Sequence, residues 1–463
     1  MACAPKVGIL PLYLKLYDEI CPERRAEFTP FLEAIVDGFR QRGVSAVLSE
    51  TCRVRPEFER AVAGLEDAGV DLLVTVHLAY SPSLEAVEAL VNTALPILML
   101  DTTMDEAFGK DVDASRIMYN HGIHGVQDLA CMLRRAGRPY QVIAGHLRRS
   151  DILDRAVEIA RGVAAAHGLE GTRVLRLGEA FAGMGDFAVT AEELEDAFGI
   201  TVETCTLDDL AAAAAAVDEA AVEAEMARDR ERFTADIPSD VHRRSVRAGL
   251  GLRALLEAGD YAAFSMNFLA FDRPDGPAAV VPFLEASKAM ARGLGYAGEG
   301  DVLTASLVGT LARAFGQTTF TELFCPDWAG NAVFLSHMGE INPDVVGGQA
   351  VLLEKPYSFS AAQNPAVVTG APAAGVGTLV NLAPGPDGSF GLIAARVEIL
   401  GDSDNPSLRQ SVRGWIRPEY ELSTFLEDYS LNGGTHHSAL LLGDRLEGIA
   451  AFAENAGLGL VIL

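Results

Sequence analysis

Leu72-Leu73-Val74-Thr75-Val76, then Ser83–Thr93, then Ile97-Leu98-Met99-Leu100 form an apolar run, a stretch of helical apolar spacing and a second apolar run. Short apolar runs bounded by polar turns read as buried strands, and the stretch between them has the period of a helix. The same unit extends in both directions. Val7–Leu10, Ala46–Leu48 and Val142–Ala144 are further strand candidates, and Phe28–Arg42, Glu57–Ala68 and Gly125–Arg135 further helices. Strands alternating with helices of this length imply a parallel, doubly wound sheet, which binds ligands beyond the carboxyl ends of its strands. Asp101-Thr102-Thr103 lies at such an end, where the aspartate reads as a helix cap or a ligand contact.

A second alternating set begins near Thr172. Arg173–Leu177 reads as a strand, the glycine-containing loop Gly178–Asp186 follows, and the alanine-rich run Leu207–Arg230 reads as one long helix. Gly251–Glu257, Pro282–Gly293 and Thr304–Ala314 read as helices, with Tyr261–Leu269 as a strand. After residue 330 the texture shifts to short alternating runs at Ala350–Leu353, Ala366–Thr369, Thr378–Leu382 and Gly391–Leu400, with little helical periodicity before Leu446–Asn455. That pattern predicts a small antiparallel barrel or sandwich. The expected fold class is α/β: two doubly wound α/β domains, 1–170 and 171–328, then a mostly antiparallel, barrel-like β domain, 329–463.

The 463 residues carry 64 Asp+Glu against 37 Lys+Arg, a formal net charge of −27, with 49% hydrophobic and 22% charged residues. This is globular composition, and its charge argues against nucleic acid or an anionic membrane as partner. The basic doublets Arg148-Arg149 and Arg243-Arg244 read as solvated helix faces. No segment approaches the ~18 apolar residues of a membrane helix, and Met1–Lys6 lacks the features of a signal peptide. The six cysteines, at 3, 21, 52, 131, 205 and 325, form no CxxC pair, as expected of reduced thiols in a cytoplasmic protein.

No Walker loop or GxSxG elbow occurs, and the 178–185 loop does not fit GxGxxG, so nucleotide binding and α/β-hydrolase chemistry lack their residues. Phe320-Thr-Glu322-Leu and Leu335-Ser-His-Met-Gly-Glu340-Ile-Asn-Pro343 put two carboxylates in apolar surroundings. Carboxylates are rarely buried unless paired or bound to metal. Asn432–Ser438 adds His436 and His437 in a glycine turn, where one imidazole can face a metal and the other bond elsewhere. Glu, Glu and His suit an oxygen-rich site for Mn²⁺ or Mg²⁺; a structural ion pair and a surface histidine pair are the plain alternatives.

These segments resemble the L-arabinose isomerase family, within the arabinose/fucose isomerase superfamily, over nearly the whole chain. The family's GSHMLEV is mirrored by Leu335–Ile341, SFMED by Thr319–Leu323, and GGAHHT by Gly433–Ser438. GYGFAGEGD matches Leu294-Gly-Tyr-Ala-Gly-Glu-Gly-Asp301, HLYG matches Pro11–Leu14, HTFSP matches His77–Pro82, and NQTAHG matches Asn120–Gly125. The resemblance implies a metal-dependent aldose–ketose isomerase acting through an enediol on a pentose, a 6-deoxyhexose or a related small neutral sugar. It implies Glu322 and Glu340 as proton-handling catalytic residues, and Glu322, Glu340 and His437 as ligands of a divalent metal, Mn²⁺ in preference to Mg²⁺ or Co²⁺. Tyr13, Tyr80, His121 and His124 fall where the family lines its sugar pocket. It implies a homo-oligomer, hexameric in relatives, with the active site near a subunit interface.

The chain also departs from the family. No histidine occurs between His337 and His436, where arabinose isomerases carry a further metal ligand; the aligned stretch is Glu354-Lys355-Pro356-Tyr357. Two pocket glutamines of the family become Leu10 and His121. A substrate other than L-arabinose is therefore expected. The alternatives are a sugar epimerase or modified-sugar isomerase using the same site, and a non-catalytic sugar-binding protein on the scaffold. His337 is read as a packing or supporting residue, and Asp327, Trp328 and Asn331 as pocket wall or core.

Overall fold

The computed structural model describes residues 5–403 and 405–463; Cys3 and the first residues of the expected non-signal start lie outside them. The chain divides into two compact units, one running to Ala164 and including Ala450–Asn455, the other comprising Ala165–Ile449 and Ala456–Leu463.

In the first unit the apolar runs form β1 (Lys6–Leu12), β2 (Ser45–Leu48), β3 (Leu72–His77), β4 (Ile97–Asp101) and β5 (Gln141–Ala144). They pair in parallel, in the order β2-β1-β3-β4-β5. Strand side chains alternate between faces, so Val7, Ile9, Val74 and Val76 join one core with Phe31, Ile35 and Phe39, while Leu10, Leu73 and Met99 join another with Phe58, Leu90 and Leu129. Both faces are covered at β1, β3 and β4, which is why these strands read as continuous apolar runs, while the edge strands β2 and β5 keep exposed positions. No helix begins at Asp101: the next helical turn is Ala114–Tyr119, so the cap reading fails there.

His77 closes β3 fully buried, with neither ring nitrogen partnered among the described residues. Burial drives its pKa down to about 3 from 6.5, against a small opposing pull from Asp128. A histidine with a depressed folded pKa takes up its proton mainly when unfolded, so stability is lost as pH falls from 6.5 toward 3. The penalty reaches about 2 kcal/mol at pH 5. Urea unfolding of wild type and His77→Phe at pH 7 and 5 is expected to show this extra acid loss in wild type alone.

The second unit begins with β6 (Arg173–Leu177), β7 (Thr201–Cys205), β8 (Thr234–Asp236), β9 (Ala263–Met266) and β10 (Gly295–Gly298). Four of these form a parallel sheet in the order β10-β9-β6-β7. The run expected as one helix over 207–230 is two, Leu207–Ala215 and Glu219–Arg232. Asp218 interrupts it, because its carboxylate accepts the Ala220 N–H at 2.7 Å and caps the second helix. The expected Gly251–Glu257 helix is the end of a longer one, Ser239–Ala258.

The remaining strands are β11 (Thr318–Asp327), β12 (Ala332–Ser336), β13 (Val351–Glu354), β14 (Ala366–Thr369), β15 (Gly375–Pro384), β16 (Phe390–Ile399), β17 (Gly414–Pro418), β18 (His437–Leu442) and β19 (Gly459–Ile462). Six of them run β15-β18-β11-β12-β17-β16, and β16 pairs back with β15, closing an antiparallel barrel. β19 lies parallel beside the first half of β16, and β14-β13-β8 form a separate small sheet. A helix absent from the sequence reading, Leu422–Leu431, places Leu422, Phe425 and Tyr429 in the barrel's apolar cluster. Burying each such side chain contributes about 1.5–3 kcal/mol.

The basic doublets are paired with acids: Arg243 with Glu219 and Glu223, Arg244 with Asp240, and Arg148 and Arg149 with Glu106. Residues 148–149 lie in a turn, not on a helix. Among the described residues the five cysteines are free thiols, and no helix is long and apolar enough to cross a membrane.

Candidate active site

β11 is paired on both edges where Glu322 sits, with His437 of β18 directly opposite on one side and Ser336 of β12 on the other. Glu322 and His437 are thus cross-strand neighbours, although 115 positions separate their numbers. One ligand atom each from Glu322, His337 and His437 lies within 4.8 Å of the others. Phe320, also on β11, packs edge-on against His337 and His437 at ring separations of 4.7 and 4.9 Å.

The carboxyl end of β10 supplies the other side of the site, the edge at which parallel sheets bind ligands. Tyr296 lies in β10; Glu299 and Asp301 follow it. The backbone turns sharply here, with φ +65° at Glu299 and +83° at Gly300, the former an uncommon conformation for a side chain that large. A side chain at Gly298 would meet the His337 ring at 2.4 Å, so glycine lets that imidazole approach the sheet.

Asp301 has two tasks. Its Oδ1 caps the helix Val302–Phe315 by accepting the Thr304 N–H at 2.8 Å, and its Oδ2 accepts from Nδ1 of His437 at 2.9 Å. A carboxylate only accepts, so the hydrogen of His437 sits on Nδ1 and Nε2 presents its lone pair. That Nε2 is buried and unpartnered among the described residues, as is Oε2 of Glu299, 3.7 Å away. Two lone-pair atoms face each other beyond hydrogen-bond reach. A divalent cation fits this donor set of carboxylate oxygens and imidazole nitrogen.

Glu340 is fully buried and accepts from the Tyr296 hydroxyl at 2.5 Å, the Gly339 N–H at 2.6 Å and His337 Nδ1 at 3.0 Å. Burial works against its charge, but His337 and these donors hold its carboxyl below the usual range. Burial likewise opposes a charged His337, yet Glu340 raises its pKa. The Glu322 carboxyl is raised by burial, with the imidazoles of His337, His437 and His436 opposing. His436 accepts no such neutrality: burial opposes its charge, but Glu299 and Asp186 lift its pKa to about 9. Its Nδ1 lies 2.6 Å from Asp186, and Phe187 stacks on His437 at 5.1 Å, so the 178–186 loop and the residue after it border the site. In the stretch where arabinose isomerases carry their further histidine, Lys355 donates to the Met338 carbonyl oxygen.

The structure therefore unites Glu322 and His437 directly and links Glu340 to them through His337. Tyr13, Tyr80, His121 and His124 belong to the first unit. There the Tyr17 hydroxyl meets His121 at 3.0 Å, the His121 and His124 rings lie 5.8 Å apart, and Tyr13 packs on Tyr17. Tyr80 is turned to Asp128, 3.3 Å away. Trp328 is exposed, not core, while Asp327 and Asn331 hold the β11–β12 hairpin by accepting the Gly330 and Leu422 N–H groups. Sequence reasoning passed over Glu299, Asp301, Tyr296 and Asp186. Asp301 carried a signal, standing just before an apolar helical run; Asp186 carried none.

Fold and site together define an α/β protein with a carboxylate–imidazole centre between a parallel-sheet edge and an antiparallel barrel. Family models for the L-arabinose isomerase central domain and the L-arabinose isomerase C-terminal domain match residues 173–315 and 317–459. The chain belongs to the L-arabinose isomerase family, as a divergent member. It is 29% identical to an L-arabinose isomerase of Nocardioides sp., over 90% of this chain and 84% of the relative. Identity is 26% to that of Acidothermus cellulolyticus, covering 93% and 88%, and 28% to L-arabinose isomerase 1 of Bacillus licheniformis, covering 90% and 85%.

Proposed function

We propose that this member of an aldose–ketose isomerase family is itself a divalent-metal-dependent isomerase of a small neutral sugar other than L-arabinose. The observation that supports it best is the buried, unpartnered Nε2 of His437, oriented by Asp301 and set cross-strand from Glu322. Glu322, Glu340 and His437 would hold the ion, Mn²⁺ in preference to Mg²⁺ or Co²⁺. When bound, it polarises the sugar's adjacent oxygens and stabilises negative charge developing on them.

The chain's own groups handle protons. Glu322 has a raised pKa and no hydrogen bond among the described residues, so it is placed to take the carbon-bound proton and return it to the neighbouring carbon through an enediol. Glu340, held ionised between Tyr296 and His337, is suited to relay the hydroxyl protons. The apolar walls made by Phe187 and Phe320 exclude water from the intermediate. Tyr13, Tyr80, His121 and His124 serve as sugar contacts, with His124 reaching in from a neighbouring subunit of a cytoplasmic homo-oligomer, hexameric by resemblance. Leu10 and His121, where the family has glutamines, favour a sugar with a different hydroxyl pattern.

The test is a panel of aldopentoses and 6-deoxyhexoses incubated with protein and Mn²⁺ in D₂O and followed by proton NMR. Expected is conversion of at least one aldose to its ketose, with L-arabinose a poor substrate. Deuterium entry without net isomerisation would transfer the assignment to an epimerase, and no reaction with any sugar would leave a binding protein.

A further inference from the structure

We infer that Glu299 is a direct ligand of the divalent ion at this site, an inference that rests on the metal-dependent reading above. Its side chain is largely enclosed, and Oε2 has no hydrogen-bond partner among the described residues. An ionised carboxylate oxygen left bare away from water is costly, and such groups are found paired or on a metal. The nearest polar atoms to which it is drawn are Nε2 of His436 and Nε2 of His437, each 3.7 Å away, both too distant to be hydrogen-bonded. These are ion-pair contacts that leave the oxygen without a hydrogen-bond donor. One ligand atom from each of the three residues lies within 4.8 Å of the other two.

The imidazoles arrive already oriented. Asp301 occupies Nδ1 of His437, so that ring offers Nε2 toward Glu299, while Asp186 holds Nδ1 of the cationic His436, whose Nε2–H is turned to the same carboxylate. The position of Glu299 is itself costly, since it follows β10 in the left-handed backbone region, where Asn or Gly is ordinarily favoured. A long carboxylate at such a turn is understandable if its reach is needed. It adds to Glu322 a second carboxylate beside His437, outside the Tyr296–Glu340–His337 hydrogen bonds. This oxygen-rich set suits a hard cation such as Mn²⁺ or Mg²⁺.

The test is direct titration of chelator-treated protein with Mn²⁺, free ion being read by electron paramagnetic resonance. Wild type, Glu299→Gln and Glu299→Asn are compared, and urea midpoints of the metal-free proteins establish folding; Asn tolerates the left-handed turn should Gln not fold. The expected result is one Mn²⁺ per wild-type chain and at least about tenfold weaker binding in a folded variant. Mn²⁺ affinity within about twofold of wild type in a folded variant would overturn the inference while leaving the metal-dependent isomerase intact. Failure of wild type to bind Mn²⁺, Mg²⁺ or Co²⁺ would overturn both.

Discussion

Glu322→Gln is expected to lower turnover of the reactive aldose by about 10²–10⁴-fold, the usual contribution of a positioned general base. The substitution keeps the size of the side chain and disturbs no hydrogen bond, because this carboxylate makes none among the described residues. Its urea midpoint should therefore stay close to that of wild type. Glu340→Gln should show a comparable loss of turnover with a different physical signature. A glutamine can keep its amide oxygen toward the Gly339 N–H and His337 and donate its NH₂ to the Tyr296 hydroxyl, but an uncharged amide then meets buried donors set for a carboxylate, and the charge-assisted bonds become neutral ones. That mismatch costs about 1–3 kcal/mol. Steady-state kinetics and urea unfolding on both variants separate the two roles. Equal stability losses would mean that the Glu340 network does not distinguish these carboxylates, and an active Glu322→Gln would remove Glu322 from the chemistry.

Local periodicity carried the first unit, since strands covered on both faces write their burial into contiguous apolar runs such as Leu72–Val76. The barrel was legible from its short strand-length runs between turns, although Gly377–Ala383 of β15 and His437–Leu441 of β18 are buried on both faces and their burial does not alternate. What failed was local competition that composition hides. Asp218 breaks an alanine-rich run because its side chain satisfies the next helix's N–H more cheaply than solvent would. Leu422–Leu431 was missed because only Leu422, Phe425 and Tyr429 form its buried stripe. At the site, Glu322, Glu340 and His437 were found through short motifs, whereas their geometry follows from pairings such as Glu322 with His437 that local order does not encode. Asp186 and His436, 250 residues apart, could be joined only by the fold.

Lys288→Met is expected to destabilise the second unit by about 3–5 kcal/mol, the largest stability effect of a single side chain proposed for it. Lys288 is buried on the helix Phe283–Ala291, where its ammonium bridges Asp229, at 2.8 Å, and Glu225. Asp229 is also bonded to His242 at 3.0 Å, and Glu225 to Arg253 at 2.8 Å, and all of these side chains are mostly or fully enclosed. Removing the ammonium leaves two carboxylates with part of their compensation gone, and water cannot replace it. By contrast, Lys15→Met deletes the partner of Glu19 in a pair whose side chains are 62% and 60% exposed, where a change of no more than about 1 kcal/mol is expected. Urea unfolding of both variants reads the difference. The same helix supports the active site: Ser287 accepts the Ile341 N–H at 3.2 Å, and Met290 sulfur lies 3.5 Å from the Phe320 nitrogen. Loss of its anchor should therefore loosen the segments bearing Glu340 and Glu322 together. A Lys288→Met midpoint no lower than that of Lys15→Met would show instead that apolar packing of the helix alone holds those segments.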